Sequence, residues 1–309
     1  MKRRAGVNAA RREEYAMRLL HRLGLLLACL MLPWAACAME LTEDTIYDPI
    51  PMKGPAPYAP HQEAYLPEQT GYHDDSLDVR VETFRRHDTT VTAVHVRLMD
   101  PSQLRTALAA KPPSRKTVVV TTMAKKNNAV LAINGDYFSF HQHGIVVRGG
   151  KMWRNRPDGK RDILIVDEKG DFTILPRCTA EDFAGYPGSV MHAFCFGPGL
   201  VVDGQALTSL EHADVGNAPA KATQRIAIGQ TGPLEYLIIA TEGPDNKGSE
   251  GFTILQMAEL CQEMGCINAY NLDGGSSSSV VLGGKKINAL STGKIRPVGD
   301  CIYFATLIP

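Results

Sequence analysis

Short apolar segments separated by turn residues run through most of the chain, and they constrain its fold more than any other feature. VTAVHVRLM (91–99) alternates apolar and polar residues, which predicts a half-buried strand. RDILIVDEKGDFTIL predicts a hairpin that turns at 168–170, and RIAIGQTGPLEYLIIA predicts a second hairpin that turns at 231–233. GLVVDGQAL (199–207) predicts a further strand and turn. The pattern favours a strand-rich fold.

Helix signals are few. VVVTTMAKKNN (118–128) predicts a short helix that leads into a buried strand ending at Asn134. Thr253 is a suitable N-cap for ILQMAELCQEM, and Gly265 is placed to end that helix. The residues that follow, CINAYNLD (266–273), predict another strand. We therefore expect an α+β protein with a strand-rich mixed sheet core and few helices.

The N-terminal residues have the order of an export signal. Arg18 and Arg22 precede the apolar segment LGLLLACLMLPWAACA, which ends in the small-x-small sequence ACA at 36–38. We predict a signal peptide over 1–38 and a periplasmic or secreted protein with no stable membrane span after cleavage. LLAC, ending at Cys29, makes lipoprotein anchoring a minor alternative, and an uncleaved anchor is another.

Proline sets the next segment apart. DPIPMKGPAPYAP (48–60) and Pro67 give residues 39–76 the composition of an extended linker, or of a segment that lies over a domain surface. We expect the main domain to cover residues 77–309.

The charge distribution argues against one class of partner. Residues 1–38 hold seven of the 33 Lys and Arg residues but two of the 33 Asp and Glu residues, which leaves 26 basic and 31 acidic side chains in 39–309. A mildly acidic protein body has no general attraction to nucleic acid or to an anionic membrane.

Five cysteines follow the expected cleavage site, and no pair has the C-x-x-C spacing of a zinc site. One or two disulfides are plausible in an oxidising compartment, and burial of all five as structural thiols is an equally good interpretation. The five are Cys178, Cys195, Cys261, Cys266 and Cys301.

Two strand ends carry the same design of polar residues. AINGDYF brings Asn134 and Asp136 beside a glycine, and INAYNLDGGSSSS brings Asn271 and Asp273 to a Gly-Gly turn. Glycine lets backbone N–H groups approach a ligand, and a pair of carboxylates is what glycosidic bond cleavage needs. Asn-Gly and Asp-Gly are also the commonest turn dipeptides, so a plain turn is the alternative.

Four segments, taken in order, resemble the phosphodiester glycosidase family, and the resemblance covers roughly residues 90–308. The family includes an N-acetylglucosamine-1-phosphodiester alpha-N-acetylglucosaminidase and many exported, exopolysaccharide-related bacterial proteins. NLDGG-S after a helix ending in MG is the specific element, and the others gain weight from their order. The segments are AINGDYF (132–138), FGPGLVVDGQ (196–205), RIAIGQ (225–230) and GFTILQMAELCQEMGCINAYNLDGGSSSSVV (251–281).

The resemblance implies an exported hydrolase that cleaves the glycosidic bond of a sugar-1-phosphodiester and releases the sugar and a phosphomonoester. Its partner would be a carbohydrate phosphodiester or polysaccharide, and we expect neither a metal nor a cofactor. The alternative is a non-catalytic glycan- or envelope-binding module on the same fold. A serine-nucleophile esterase is a third hypothesis, although the chain has no G-x-S-x-G elbow.

Family positions can be transferred residue by residue. Three positions depart from the family pattern: Asp136 and Ser276 stand where glycines are usual, and Glu242 opens a Glu-Gly where Asp-Gly-Arg is common. The matching positions are Asn134, Arg225, Asn271, Asp273, Gly274 and Gly275.

Roles follow from side-chain chemistry. Asp273 is the best candidate for the catalytic carboxylate, and Asp136 and Glu242 compete to supply a second one. Arg225 is expected to bind the phosphate, because a guanidinium can contact two phosphate oxygens at once. The other expected substrate-binding residues are Asn134, Asn271, Gly274, Gly275, Ser276 and His143.

Overall fold

The computed structural model describes residues 47–211, 220–290 and 293–309. The expected signal peptide over 1–38, and the first residues of the proline-rich segment, lie outside the described residues. Within the described ranges, no helix has the length and apolar character needed to cross a membrane.

The described residues contain three α-helices and eighteen strands. The helices are α1 (Val120–Lys126), α2 (Ala180–Ala184) and α3 (Ile254–Glu263). The strands are β1 (Gly71–His73), β2 (Leu77–Arg86), β3 (Thr89–Leu98), β4 (Leu104–Leu108), β5 (Leu131–Asn134), β6 (Gly144–Arg148), β7 (Lys151–Arg156), β8 (Ile163–Asp167), β9 (Phe172–Leu175), β10 (Val190–Phe194), β11 (Gly199–Val202), β12 (Gln205–Ala206), β13 (Ile226–Gly232), β14 (Glu235–Thr241), β15 (Asn268–Leu272), β16 (Val280–Leu282), β17 (Lys285–Lys286) and β18 (Asp300–Phe304). The strand-rich α+β class with few helices is confirmed.

The strands form three sheets. The first has eight strands in the order β1-β2-β3-β14-β13-β15-β11-β12. The second is β7-β6-β10-β8-β9, and the third is β17-β16-β5-β18-β4. All pairs between these strands of the described chain are antiparallel.

One apolar core joins the three sheets. The first sheet contributes Ile238, the second Leu164, and the third Ile133 and Phe304, all fully buried or nearly so. Alternate residues of the same strands point to the other face, where α3 covers the first sheet and α1 covers the third. This alternation is what the period-two sequence pattern demands when both faces of a strand are buried.

Helix α3 begins where the sequence predicted. The Thr253 hydroxyl accepts a hydrogen bond from the Gln256 amide, and the Gln256 side chain returns one to the Thr253 amide, which completes a capping box. Gly265 follows the helix with φ +86°, the left-handed conformation that glycine tolerates best.

The predicted hairpins are also present. Strands β8 and β9 pair as expected, and so do β13 and β14, whose turn is formed by residues 233–234 where 231–233 was predicted.

The described part of the proline-rich segment lies against the third sheet and its helix. Arg105 of β4 donates hydrogen bonds to the carbonyls of Pro51 and Gly54, and Ala56 donates to the carbonyl of Asn127. Residues 71–73 then form the edge strand β1, which pairs with β2.

All five cysteines of the described residues are buried and free. The structure therefore supports the interpretation of buried structural thiols over that of disulfides.

Candidate active site

The centre of the site is a loop that crosses between two sheets. Residues 273–279, here called the crossover loop, leave β15 of the first sheet and enter β16 of the third. Asn134, at the end of β5, holds both ends of it: its Nδ2 donates to the Asp273 carbonyl at 2.8 Å, and its Oδ1 accepts from the Ser279 amide at 3.0 Å. The two strand ends singled out in the sequence therefore meet.

The glycines of the crossover loop serve two purposes. A side chain at Gly274 would put Cβ 2.7 Å from the Gln224 carbonyl oxygen, so only glycine lets the two backbones pack this closely. Gly275 has φ +56°, where an L-residue is strained, and its amide donates to the same carbonyl at 2.8 Å. The loop therefore lies directly on residue 224, next to Arg225.

Asp273, the first residue of the crossover loop, carries a buried carboxylate with an unpaired oxygen. Its exposed fraction is 9%, and its Oδ2 has no hydrogen-bond partner among the described residues. Burial raises the pKa of Asp273 to about 6, against the opposing influence of the nearby Ser277 hydroxyl and the positive charge of Arg296. A buried carboxyl with a pKa raised towards neutrality is typical of a functional group in an active site.

Unpaired oxygens surround Asp273. Buried polar atoms in folded proteins are nearly always hydrogen-bonded, because an unpaired one costs free energy. Several buried oxygens that have no partner within the described chain lie on the crossover loop, the strands it joins or the residues packed against them, while Arg86 Nε and Trp153 Nε1 lie elsewhere. These oxygens are Ser139 Oγ, Gln224 Oε1, Asn271 Oδ1, Asp273 Oδ2, Ser279 Oγ and Asp300 Oδ1. Such a concentration is expected where a polar ligand completes the hydrogen bonds.

Asp136 has a different environment. Its Oδ1 lies 3.0 Å from Arg148 Nη2, and its Oδ2 accepts from the Cys195 amide at 2.8 Å. Oδ1 also accepts from the Phe138 amide. The side chain has no exposed surface. Both oxygens are thus engaged by the protein, so Asp136 in this conformation is not available to supply a second reactive carboxylate to a ligand.

Arg148 links Asp136 to a further acid, Asp300. Arg148 Nε and Nη2 contact Asp300 Oδ2 at 2.9 and 2.6 Å. Burial raises the pKa of Asp300, and the charge of Arg148 opposes that rise. Gly135 completes the arrangement, since a Cβ there would fall 2.1 Å from Asp300 Oδ1. The second sheet is in this way joined to the third beside the crossover loop.

Three side chains form a stack at the turn that follows β5, and this group is here called the cation stack. The rings of Tyr137 and Phe140 are stacked with centroids 4.5 Å apart, and the Arg296 guanidinium lies 5.3 Å from the Tyr137 centroid. Arg296 Nη2 also donates to the Tyr137 hydroxyl at 3.4 Å. Tyr137 has φ +62°, an uncommon conformation for a side chain of this size.

Arg225 and Lys286 are held by main-chain and amide oxygens. Arg225 Nε donates to the Phe252 carbonyl at 3.0 Å and Nη2 donates to the Lys221 carbonyl at 2.8 Å. Burial lowers the pKa of Arg225 to about 10 and that of Lys286 to about 7. Lys286 Nζ donates to the Ser278 carbonyl at 2.7 Å and thereby binds the crossover loop near its C-terminal end.

The remaining predicted site residues lie at different distances from this centre. Asn271 is buried on β15, and its Nδ2 donates to the Gly197 carbonyl. Ser276 is half-buried in the middle of the loop. Glu242 follows β14, where its carboxylate accepts a short hydrogen bond from Ser249, and no contact within the described ranges joins it to Asp273. His143 is exposed in the loop directly before β6.

Three residues of the site were not found from the sequence: Arg148, Asp300 and Arg296. Arg148 and Asp300 are single charges at the ends of apolar strands, and this was a usable signal, because a charge in a buried strand needs a partner. Arg296 lies in KIRPVGD, where nothing in the pattern distinguishes it from a surface arginine.

Comparison with known proteins gives the family. The model of the phosphodiester glycosidase family matches residues 127–305, which contain both strand ends, the crossover loop and Arg296. The chain belongs to the phosphodiester glycosidase family. The resemblance noted in the sequence is thereby confirmed.

One curated relative shares part of the sequence. An uncharacterized SPbeta prophage-derived protein of Bacillus subtilis, YomE, is 29% identical over 197 residues, which are 61% of this chain and 29% of the relative. This chain thus spans less than a third of that relative's length.

Solved structures share the fold. The zebrafish N-acetylglucosamine-1-phosphodiester alpha-N-acetylglucosaminidase catalytic domain, described as auto-inhibited by its pro-peptide, superposes with TM-score 0.61 at 16% identity, over 86% of this chain and 99% of that one. A hypothetical protein from Synechocystis gives TM-score 0.56 at 14% identity, over 74% of this chain and 62% of that one. At these identities the likeness concerns the fold alone.

Two cavities lie outside this site. A cavity lined by Met52, Leu104 and His192, and another lined by Arg177, Leu200 and Thr208, include none of the site residues predicted from the sequence. No group of three or more metal-ligating side chains is present in the described ranges.

Proposed function

We propose that this protein is a hydrolase that cleaves the glycosidic bond of a sugar-1-phosphodiester, releasing the sugar and a phosphomonoester, with Asp273 as the catalytic carboxylate. The observation that carries the proposal is the state of Asp273: buried, with a free oxygen, on a loop fixed at both ends by Asn134. Membership of the phosphodiester glycosidase family supports the reaction class.

The chemistry of the leaving group explains how one available carboxylate suffices. Hydrolysis of an ordinary glycoside needs an acid to protonate a poor alkoxide leaving group and a second carboxylate at the anomeric carbon. The phosphomonoester departs as a dianion whose conjugate acid has a pKa of about 6, so it leaves far more readily than an alkoxide. The demand for a general acid is therefore small. Asp136 can then remain locked to Arg148 without removing a step from the reaction.

Asp273 would act in its ionised form. The bond between C1 and the phosphate oxygen breaks and the phosphate oxygen keeps the electron pair, while C1 develops positive charge that a carboxylate stabilises or attacks. Water supplies the hydroxyl that remains on C1 and the proton that returns to solvent. Because Asp273 ionises at a pH of about 6, turnover should rise with pH through that value.

The test is hydrolysis of a panel of sugar-1-phosphate esters in ¹⁸O-labelled water, beginning with an N-acetylglucosamine ester because the zebrafish relative carries that sugar in its name. The label should enter the sugar at C1. Asp273→Asn should lower turnover by about 100-fold or more, since a carboxylate role in the transition state is lost. Asp203→Asn, an exposed turn aspartate, is the matched control.

Other outcomes distinguish the alternatives. Label in the phosphate would indicate a phosphodiesterase acting on the P–O bond. Binding of the esters without turnover would favour the glycan- or envelope-binding module. Loss of an activity on treatment with a serine-reactive fluorophosphonate would favour the serine esterase.

Export is a second part of the proposal. The charged, apolar and small-residue order of residues 17–38 supports cleavage after Ala38 and release to the periplasm or medium, where polysaccharide phosphodiesters occur. N-terminal sequencing of the natively produced protein checks it, and a mature chain that retains residues 17–38 would indicate an anchored protein instead.

A further inference from the structure

A phosphodiester substrate brings a negative charge next to Asp273, which is itself ionised above pH 6. Two like charges at contact distance repel, so the site needs a cation that faces the ligand. Among the described residues, five cations contact the crossover loop, the Asn134–Phe140 turn or a residue packed against them, and they differ in how they are held.

Four of these cations are committed to the protein. Arg148 is enclosed by two carboxylates and has almost no exposed surface. The other three donate to carbonyl or amide oxygens of the chain, and none is exposed. They are Arg154, bonded to the Phe138 and His143 carbonyls; Arg225, bonded to the Lys221 and Phe252 carbonyls; and Lys286, bonded to the Ser278 carbonyl and Asn288 Oδ1.

Arg296 is different. It is exposed, and it makes no ion pair with any carboxylate of the described residues. One face of its guanidinium lies over Tyr137, and one of its amino groups donates to the Tyr137 hydroxyl. The remaining N–H donors lie on a planar group whose orientation is fixed by stacking, which lowers the entropy lost when they bind an anion.

The backbone conformation of Tyr137 also indicates that this part of the chain has a function. A tyrosine at φ +62° is strained, and strain of this kind is concentrated at functional sites. Tyr137 directly follows Asp136, which is fixed by Arg148, and comes three residues after Asn134, which holds the Asp273 carbonyl. The strained residue thus connects the cation to the catalytic loop through rigid neighbours.

We infer that Arg296, oriented by Tyr137 and Phe140 in the cation stack, binds the phosphate group of the substrate, in place of Arg225. The inference rests on the proposed function for the identity of the ligand. It makes Arg296 the residue that selects an anionic phosphodiester over a neutral glycoside of the same sugar, with Tyr137 as its positioning residue.

The experiment compares two substrates that share one sugar: an aryl phosphodiester of the sugar and the neutral aryl glycoside. Arg296→Gln should raise KM for the diester by roughly 10- to 100-fold, the value of a charge-assisted pair of hydrogen bonds, and leave any KM for the glycoside within about twofold. Arg296→Lys should recover only part of the loss. Lys294→Gln, an exposed charge on the same segment, is the control for loss of general positive charge.

A binding measurement tests this inference independently of the proposed reaction. Titration of the parent with inorganic phosphate and with the sugar-1-phosphate, repeated on Arg296→Gln and Arg225→Lys, needs no turnover. If the parent hydrolyses nothing but binds the sugar-1-phosphate with affinity that falls at least tenfold in Arg296→Gln, the phosphate site stands and the reaction is wrong. Equal affinity in parent and Arg296→Gln, loss of affinity in Arg225→Lys alone, or no binding by the parent would overturn the assignment.

Discussion

The turns that end β5 and β15 begin from nearly the same sequence and reach opposite chemical states. Asp136, after β5, has both oxygens engaged and an arginine against it. Asp273, after β15, has a free oxygen and a pKa raised by burial to about 6. The difference lies in the partners supplied by other strands: Arg148 of β6 reaches only the first turn. Similar local sequence therefore gives an acid held by an ion pair in one place and a buried acid with a free oxygen in the other.

Removing the charge of the fixed acid should have the largest effect on folding. Asp136→Asn leaves Arg148 buried with one carboxylate fewer, and loss of one partner of a buried ion pair costs about 3–5 kcal/mol of unfolding free energy. Urea unfolding at pH 7.5, with Asp203→Asn as control, measures it. A variant as stable as the parent would show that Asp300 alone neutralises Arg148, and the contrast between the two turns would then be one of exposure only.

The same substitution at Asp273 should stabilise the protein. Because folding raises the pKa of Asp273, the carboxyl favours folding below pH 4, and this contribution is lost as the pH rises through about 6. Asp273→Asn should therefore be more stable than the parent by up to about 3 kcal/mol above pH 7, and indistinguishable from it below pH 4. Thermal unfolding across pH 4–8 checks this. A loss of stability at neutral pH would identify Asp273 as a turn cap.

The glycines of the two turns give a smaller contrast. Gly135→Ala would place Cβ against the Asp300 carboxylate, so we expect a loss of about 3 kcal/mol by overpacking. In Gly275→Ala the new Cβ has no atom within 4 Å, so the substitution is opposed only by the left-handed φ of residue 275. We expect this strain to lower the free energy of unfolding by about 1 kcal/mol. Paired chemical denaturation of the two variants measures the difference. Equal losses would mean that Asp300 can move aside.

The sequence predicted local features well. Apolar alternation located β3 and the two hairpins, the capping residues located α3, and the strand ends located Asn134 and Asp273. These features depend on residues close together in the chain. The resemblance to the family supplied Arg225 and the reaction class.

What the sequence did not predict depends on contacts between distant residues. Arg148 and Asp300 are 152 positions apart, and Asn134 reaches Ser279 across 145. The state of Asp136 is decided by its contacts with Arg148 and with the Cys195 amide. The inferred preference for Arg296 over Arg225 rests on the carbonyls that lie within reach of the Arg225 guanidinium. No period or spacing encodes such information, because it appears only when the three sheets pack together.

The Asn134 bridge also bears on how specificity can diverge among descendants of this gene. The bridge fixes Asp273 and Ser279 through a buried amide that belongs to a different strand, while Gly274 and Gly275 hold the loop against the Gln224 carbonyl. Ser276, half-buried in the middle of the loop, takes part in none of these contacts. Under the proposed function, substitution at that position would alter the choice of sugar or phosphate ester while Asp273 keeps its place.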